Sequence, residues 1–130
     1  MFSHVHIGTD DLERAVAFYN AVLRPLGIVS KFVDHDRKWA GWKGREADRP
    51  LFLVGRPFDK ATPDPGNGPM IAFLADERRL VDLCHRLALE AGAADEGAPG
   101  LRPEYHAAFY GAYFLDLDGN KVCICCHEDE

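Results

Sequence analysis

Between Gly55 and Pro69 the chain carries Pro57, Pro63, Pro65 and Pro69 together with Gly66 and Gly68. Proline lacks the amide proton that a helix interior or a central strand requires, so no regular element runs through this stretch. The fold must therefore be assembled from two halves, each with its own strands and helix. A length of 130 residues suits one domain, and a 47% hydrophobic share can form a core without disulfides.

The first half opens on an alternating segment, Phe2 to Gly8, with Val5 and Ile7 on one face and Phe2, His4 and His6 on the other. The apolar row should face a helix. Asp10 and Asp11 supply a helix start, and Leu12, Ala15, Val16, Tyr19, Val22 and Leu23 follow at three- and four-residue spacing up to Pro25 and Gly27. Three strands are expected next, near Ile28 to Val33, Lys38 to Trp42 and Leu51 to Val54. The second half repeats the plan. A strand at Met70 to Leu74 precedes a helix start at Asp76, an apolar series of Leu80, Val81, Leu83, Leu87 and Ala88, and a stop at Gly92. Asp11 and Gly27 match Asp76 and Gly92 at an offset of 65 residues. Beyond Gly92 a Gly- and Pro-rich loop is expected over Glu96 to Pro103, with room for a short strand before it. Strands at Tyr110 to Leu115 and Lys121 to His127 follow, joined by a turn at Asp118-Gly119-Asn120.

Fifteen Lys and Arg against 21 Asp and Glu leave a net charge of −6, which argues against a phosphate backbone or an anionic membrane as partner. A small molecule or another protein is the expected partner. No signal-like start and no apolar run of the ~20 residues needed to cross a bilayer is present, so a cytoplasmic protein is expected. Three of the four cysteines crowd into Cys123, Cys125 and Cys126, unlike a secreted disulfide framework, and reduced thiols are the simpler expectation.

The strings Ser3-His4-Val5-His6-Ile7, Asp11-Leu12-Glu13-Arg14-Ala15-Val16-Ala17-Phe18-Tyr19 and Asp116-Leu117-Asp118-Gly119-Asn120 bracket nearly the whole chain. They resemble the two ends of a vicinal-oxygen-chelate domain, the superfamily of glyoxalase I, bleomycin-resistance proteins and extradiol dioxygenases. Leu117 stands where that family's turn usually has proline. The resemblance implies an α+β fold in which two βαβββ modules form an open curled sheet. Here the modules would be about 1–55 and 69–130, joined by a Pro/Gly-rich linker 56–68. It also implies frequent homodimers.

Metal-using members of that family hold a divalent ion with His on the first strand, His at the start of the second half and Glu on the last strand. His4 matches the first position, and alternation adds His6 beside it. The second position falls at Met70 or Pro69, and the third at Cys123. Alternation puts Cys125 and His127 beside Cys123, while Val122, Ile124 and Cys126 face a helix. If the first and last strands meet as the resemblance implies, His4, His6, Cys123 and Cys125 would make a metal set. Its thiolates would favour zinc over nickel, iron or manganese. The plainer reading is that buried cysteines are small core residues and no metal is held. Cys123 and Cys126 spell Cys-x-x-Cys, but on a strand rather than at the helix start that activates such thiols.

Other site candidates are His106 and Tyr113 for proton transfer, Tyr105 for ligand hydrogen bonding, and Trp42 and Phe52 as apolar pocket walls, with Trp39 and Phe73 on similar strands. His35 and His85 fit no pattern, and the acidic end Glu128-Asp129-Glu130 suggests only solvation. Two functions follow from the resemblance: a metal-assisted lyase, isomerase or dioxygenase acting on a small molecule, or a metal-free, bleomycin-resistance-like protein that binds a small molecule or drug.

Overall fold

Each half builds the same βαβββ succession in the computed structural model, which describes residues 1–130. The chain divides into two compact units, Met1–Gly66 and Asn67–Glu130. The first contains β1 (His4–Gly8), α1 (Leu12–Leu23), a short 3-10 turn (Arg24–Leu26), β2 (Ile28–Asp34), β3 (Trp39–Gly44) and β4 (Leu51–Gly55). The second contains β5 (Ile71–Leu74), α2 (Arg78–Glu90), β6 (Ala94–Leu101), β7 (Tyr110–Leu115) and β8 (Lys121–Cys126). The sheet orders correspond, β1-β4-β3-β2 in one unit and β5-β8-β7-β6 in the other. In both, the opening strand pairs in parallel with the last strand of its unit, and the other pairings are antiparallel.

Asp11 starts α1 as expected, because its carboxylate accepts the Arg14 amide proton at 3.1 Å. The helix lays Ala15, Phe18, Tyr19, Val22 and Leu23 into the core, and Gly27 closes the following turn at φ 73°, in the left-handed region. Tyr19 meets the rings of Trp42 at 5.9 Å and Phe52 at 4.9 Å. Trp42 is fully buried and donates its indole N–H to Asn20 Oδ1 at 2.9 Å. The face of this sheet that carries Trp42 and Phe52 is thus the helix-facing core. Val5 is the register partner of Phe52, so the apolar row of β1 lies on this face and the histidine row on the other.

The second helix departs from the sequence expectation. It begins at Arg78 with Glu77 rather than Asp76 in the N-cap position, and the Glu77 side chain makes no capping bond. The Arg78 amide instead donates to the Glu130 carboxylate at 2.6 Å, and the Arg78 guanidinium lies 3.9 Å from Asp129. The acidic end read only as solvated therefore supplies negative charge to a helix N-terminus, where exposed amides favour it. His85 is buried and bonded to Asp95 at 3.0 Å, which ties α2 to β6. The Gly97 amide, with His85 second, holds the Asp95 carboxyl below its ordinary range.

The stretch expected to be a loop over Glu96 to Pro103 is strand as far as Leu101. It is the sheet edge, and its pairing with β7 slips between Asp95 and Gly97 and again between Gly97 and Gly100. Bulges on an edge strand tolerate proline and glycine, so Pro99 and Gly100 bend this strand without ending it. At the β7–β8 hairpin, Asp116 accepts hydrogen bonds from the amides of Asp118 and Asn120, both at 2.9 Å, and Gly119 turns at φ 88°.

Truncating a buried Trp typically costs ~3–5 kcal/mol. Trp42→Ala is expected to lose stability in this range in urea unfolding. Trp39→Ala, on the opposite face and only half-buried, should lose clearly less.

Candidate functional site

Strand alternation gives each sheet a second face, turned away from its helix, and the chemistry-bearing side chains lie there. In the first unit this face holds His4 and His6 on β1, Leu53 on β4, Trp39 and Gly41 on β3 and Phe32 on β2. Phe32 and Trp39 are in ring contact at 5.0 Å. A side chain at Gly41 would meet the Phe32 ring at 2.5 Å, so glycine there lets the aromatic pair lie across the sheet. His4 Nδ1 is bonded to Ser3 Oγ at 2.9 Å. Burial, and then the neighbouring His4, push the His6 pKa below its ordinary value. Beside His6 lies an open hollow of about 310 Å³, bordered by Asp59, Thr62, Pro63 and Asp64.

In the second unit the corresponding face gathers Tyr113 on β7 and the row Cys123, Cys125 and His127 at the end of β8. Tyr113 is the register partner of Cys123, and Gly111 that of Cys125. Cys125 follows Cys123 on the same face of the strand. Cys125 Sγ lies 3.8 Å from His127 Nε2, and His127 Nδ1 lies 2.8 Å from His106 Nε2. The two imidazoles stack with centroids 5.0 Å apart, and Phe109 abuts both. Tyr105 is exposed and touches Phe109 at 5.0 Å. The Arg102 guanidinium and the Lys121 ammonium each lie 5.6 Å from the centre of the Tyr113 ring.

These bonds fix the ring protons. The Ala108 amide donates to His106 Nδ1 at 3.2 Å, which makes that nitrogen an acceptor and leaves the His106 proton on Nε2. That N–H donates to His127 Nδ1, so the His127 proton lies on Nε2 and points at Cys125. Within the thiol pair, the bond from Cys123 holds the Cys125 pKa down, and His127 adds to this effect. The same bond, together with burial, holds the Cys123 proton in place. Burial alone pushes the Cys84 thiol on α2 up to about 12. All four cysteines are free.

Several sequence expectations are redrawn by this geometry. Trp42 and Phe52, expected as pocket walls, lie under α1, and Phe73 is likewise buried. Trp39 is the tryptophan on the face away from the helix, because it lies three residues from Trp42 on the same strand. Tyr113, Cys123, Cys125 and His106 share one face of the second sheet, whereas His4 and His6 sit on the first. No group of three or more His, Cys, Asp or Glu side chains is gathered to hold a metal ion. Cys126 points toward the helix side, which splits the Cys-x-x-Cys string between the two faces of β8. The role of His127 was foreshadowed by its alternation with Cys125. Its contact with His106, 21 positions earlier, carried no sequence signal.

The family model described as Glyoxalase/Bleomycin resistance protein/Dioxygenase superfamily matches residues 1–124. The chain belongs to that superfamily. A glyoxalase/bleomycin resistance protein from Albidiferax ferrireducens T118 superposes with a TM-score of 0.85 at 31% identity, covering 98% of this chain and 99% of that one. The superfamily fold is also shared with a lactoylglutathione lyase from Agrobacterium tumefaciens, at a TM-score of 0.66 and 20% identity over 97% of this chain and 92% of that one. Among curated proteins, the non-reducing polyketide synthase SAT8 of Stachybotrys chartarum is 32% identical over 122 residues. That match takes in 88% of this chain but spans only 5% of the synthase. No helix of this superfamily member is long and apolar enough to cross a membrane.

The proton arrangement has a direct spectroscopic consequence. Nitrogen-15 imidazole shifts at mildly alkaline pH are expected to show Nδ1 unprotonated and Nε2 protonated in both His106 and His127. A protonated Nδ1 in either ring would contradict it.

Proposed function

We propose that this chain is a metal-independent, small-molecule-binding member of its superfamily, closer in function to the bleomycin-resistance proteins than to the metal-dependent lyases. The chemistry at the positions where the family resemblance places metal ligands supports this reading. Met70 offers only a thioether to an oxygen-preferring ion, and it is exposed. Cys123 offers a sulfur where an oxygen-preferring ion takes a carboxylate. His4 is engaged by Ser3 and has only His6 as a neighbouring donor on its strand face. A metal-assisted lyase, isomerase or dioxygenase would need a third protein ligand that this donor set does not supply.

The faces turned away from the helices suit a small, partly aromatic molecule. The first offers the Phe32 and Trp39 rings and the hollow beside His6. The second offers a phenol and two imidazoles beside the cationic Arg102 and Lys121. Aromatic walls with a few fixed polar groups are the usual composition of such sites.

The test is metal content by plasma mass spectrometry on tag-free protein prepared without chelator. It is measured before and after incubation with zinc, nickel, manganese or iron(II) and desalting. Substoichiometric metal throughout is the expected result. Near-stoichiometric metal that disappears in both His4→Ala and Cys123→Ser would overturn the proposal and restore the metalloenzyme reading.

A further inference from the structure

The turn between β2 and β3 and the segment that follows β4 border an open hollow of about 440 Å³. Arg37, Lys38, Arg56 and Lys60 line it, with Asp36 as the one carboxylate. All four cationic residues are exposed, and no ion pair joins any of them to an acid. The flanking carboxylates have other partners. Asp34 accepts the amide protons of Asp36 and Arg37, both at 3.1 Å, and Asp59 accepts that of Ala61 at 3.0 Å. Like charges gathered in this way repel one another, and an anion placed among them relieves the repulsion. The backbone holds the arrangement. The Arg56 amide donates to the Lys38 carbonyl at 3.1 Å, which extends the β3–β4 pairing and sets the two segments side by side. Lys38 and Lys60 stand at φ 57° and 64°, in the left-handed region that residues with a side chain seldom enter. Such conformations persist where the surrounding structure enforces them, and they gather at ligand-holding turns.

We propose that this hollow binds a small organic phosphate carrying a planar ring, of the chemical type of a nucleotide. Arg37 and Arg56 supply guanidinium forks, which match phosphate oxygens with paired N–H donors, and Lys38 and Lys60 add charge. Phe58, fully exposed at the same hollow, offers its ring face for stacking, and Pro57 extends the apolar surface. The volume falls in the range of ~300–1,000 Å³ usual for small-molecule sites. A long polyanion fits less well. Of the chain's 15 Lys and Arg and 21 Asp and Glu, four cations and one acid line the hollow, which leaves 11 against 20 elsewhere. A nucleic acid or an anionic membrane would meet that negative remainder beyond the hollow. Pro57 also borders the hollow beside His6, but there Asp59 and Asp64 stand in place of the cations, so the two hollows favour ligands of different charge. The assignment is independent of the small-molecule reading above.

The experiment titrates the full, nitrogen-15-labelled chain with adenosine diphosphate, inorganic pyrophosphate and adenosine in metal-free buffer and follows the amide shifts. Adenosine diphosphate is expected to give saturable shifts around Arg37 and Arg56. Pyrophosphate should move the same amides with weaker affinity, and adenosine should leave them in place. Arg37→Ala and Arg56→Ala should each weaken adenosine diphosphate about tenfold by removing charge-assisted hydrogen bonds, with part of the loss recovered in Arg56→Lys. Phe58→Ala should weaken adenosine diphosphate and spare pyrophosphate, and added potassium chloride should weaken both anions. The substituted side chains are exposed, and thermal unfolding checks that each variant keeps its fold. No saturable shift at millimolar adenosine diphosphate would overturn the proposal, as would shifts spread equally over basic residues outside the hollow or equal binding of adenosine. A thymidine oligonucleotide or phosphatidylserine vesicles bound more tightly than adenosine diphosphate through the same residues would overturn it in favour of a macromolecular or membrane partner.

Discussion

Every strand of this protein has two rows of side chains, and one row must cover a helix. That requirement governs the rest. In the first unit α1 claims Val5, Phe52 and Trp42, with Tyr19 packed on the two rings. In the second, Tyr110 on β7 bonds to Asp82 of α2 at 2.6 Å, which identifies its row as the helix side. Ala112, Phe114, Val122, Ile124 and Cys126 follow by alternation and register. Once those rows are committed, His4 and His6, and Tyr113, Cys123 and Cys125, are left on the opposite faces.

The consequence for chemistry is clearest on β8. Its sequence is almost entirely small and apolar, and its thiols read as core residues by composition. The pleat divides them between the two faces of the strand. Cys126 is fully buried on the helix side, and Cys84 is held protonated by burial. Cys123 and Cys125 lie on the other face, with Tyr113 beside Cys123 and His127 3.8 Å from the Cys125 sulfur.

Most elements were legible because their signals are local. The Asp11 cap, the three- and four-residue apolar spacing of α1 and the alternation of β1 and β7 all act within one or two turns of chain. The failures have a common cause. Pro99 and Gly100 looked like loop residues because nothing local announces that their strand lies at a sheet edge, where a bulge accommodates them. Glu130 looked solvated because the amide that it meets lies 52 positions earlier in sequence. Trp42 looked like a pocket wall because alternation separates it from Trp39 but does not say which of the two faces meets α1.

By itself, the sequence determined the α+β class, the two βαβββ halves, the superfamily and the row of β8 that carries Cys123, Cys125 and His127. These depend on propensity, periodicity and short strings, which remain the same wherever the segment lies in space. Tertiary structure decided which tryptophan lies under a helix, what caps α2 and which imidazole meets His127. His106 is the clearest case. Its proton is placed by the Ala108 amide two residues away, but that placement has a consequence only because His127, just past the end of β8, lies at 2.8 Å. Hydrogen bonds between distant segments act over a few ångströms, and only the folded chain brings those segments together.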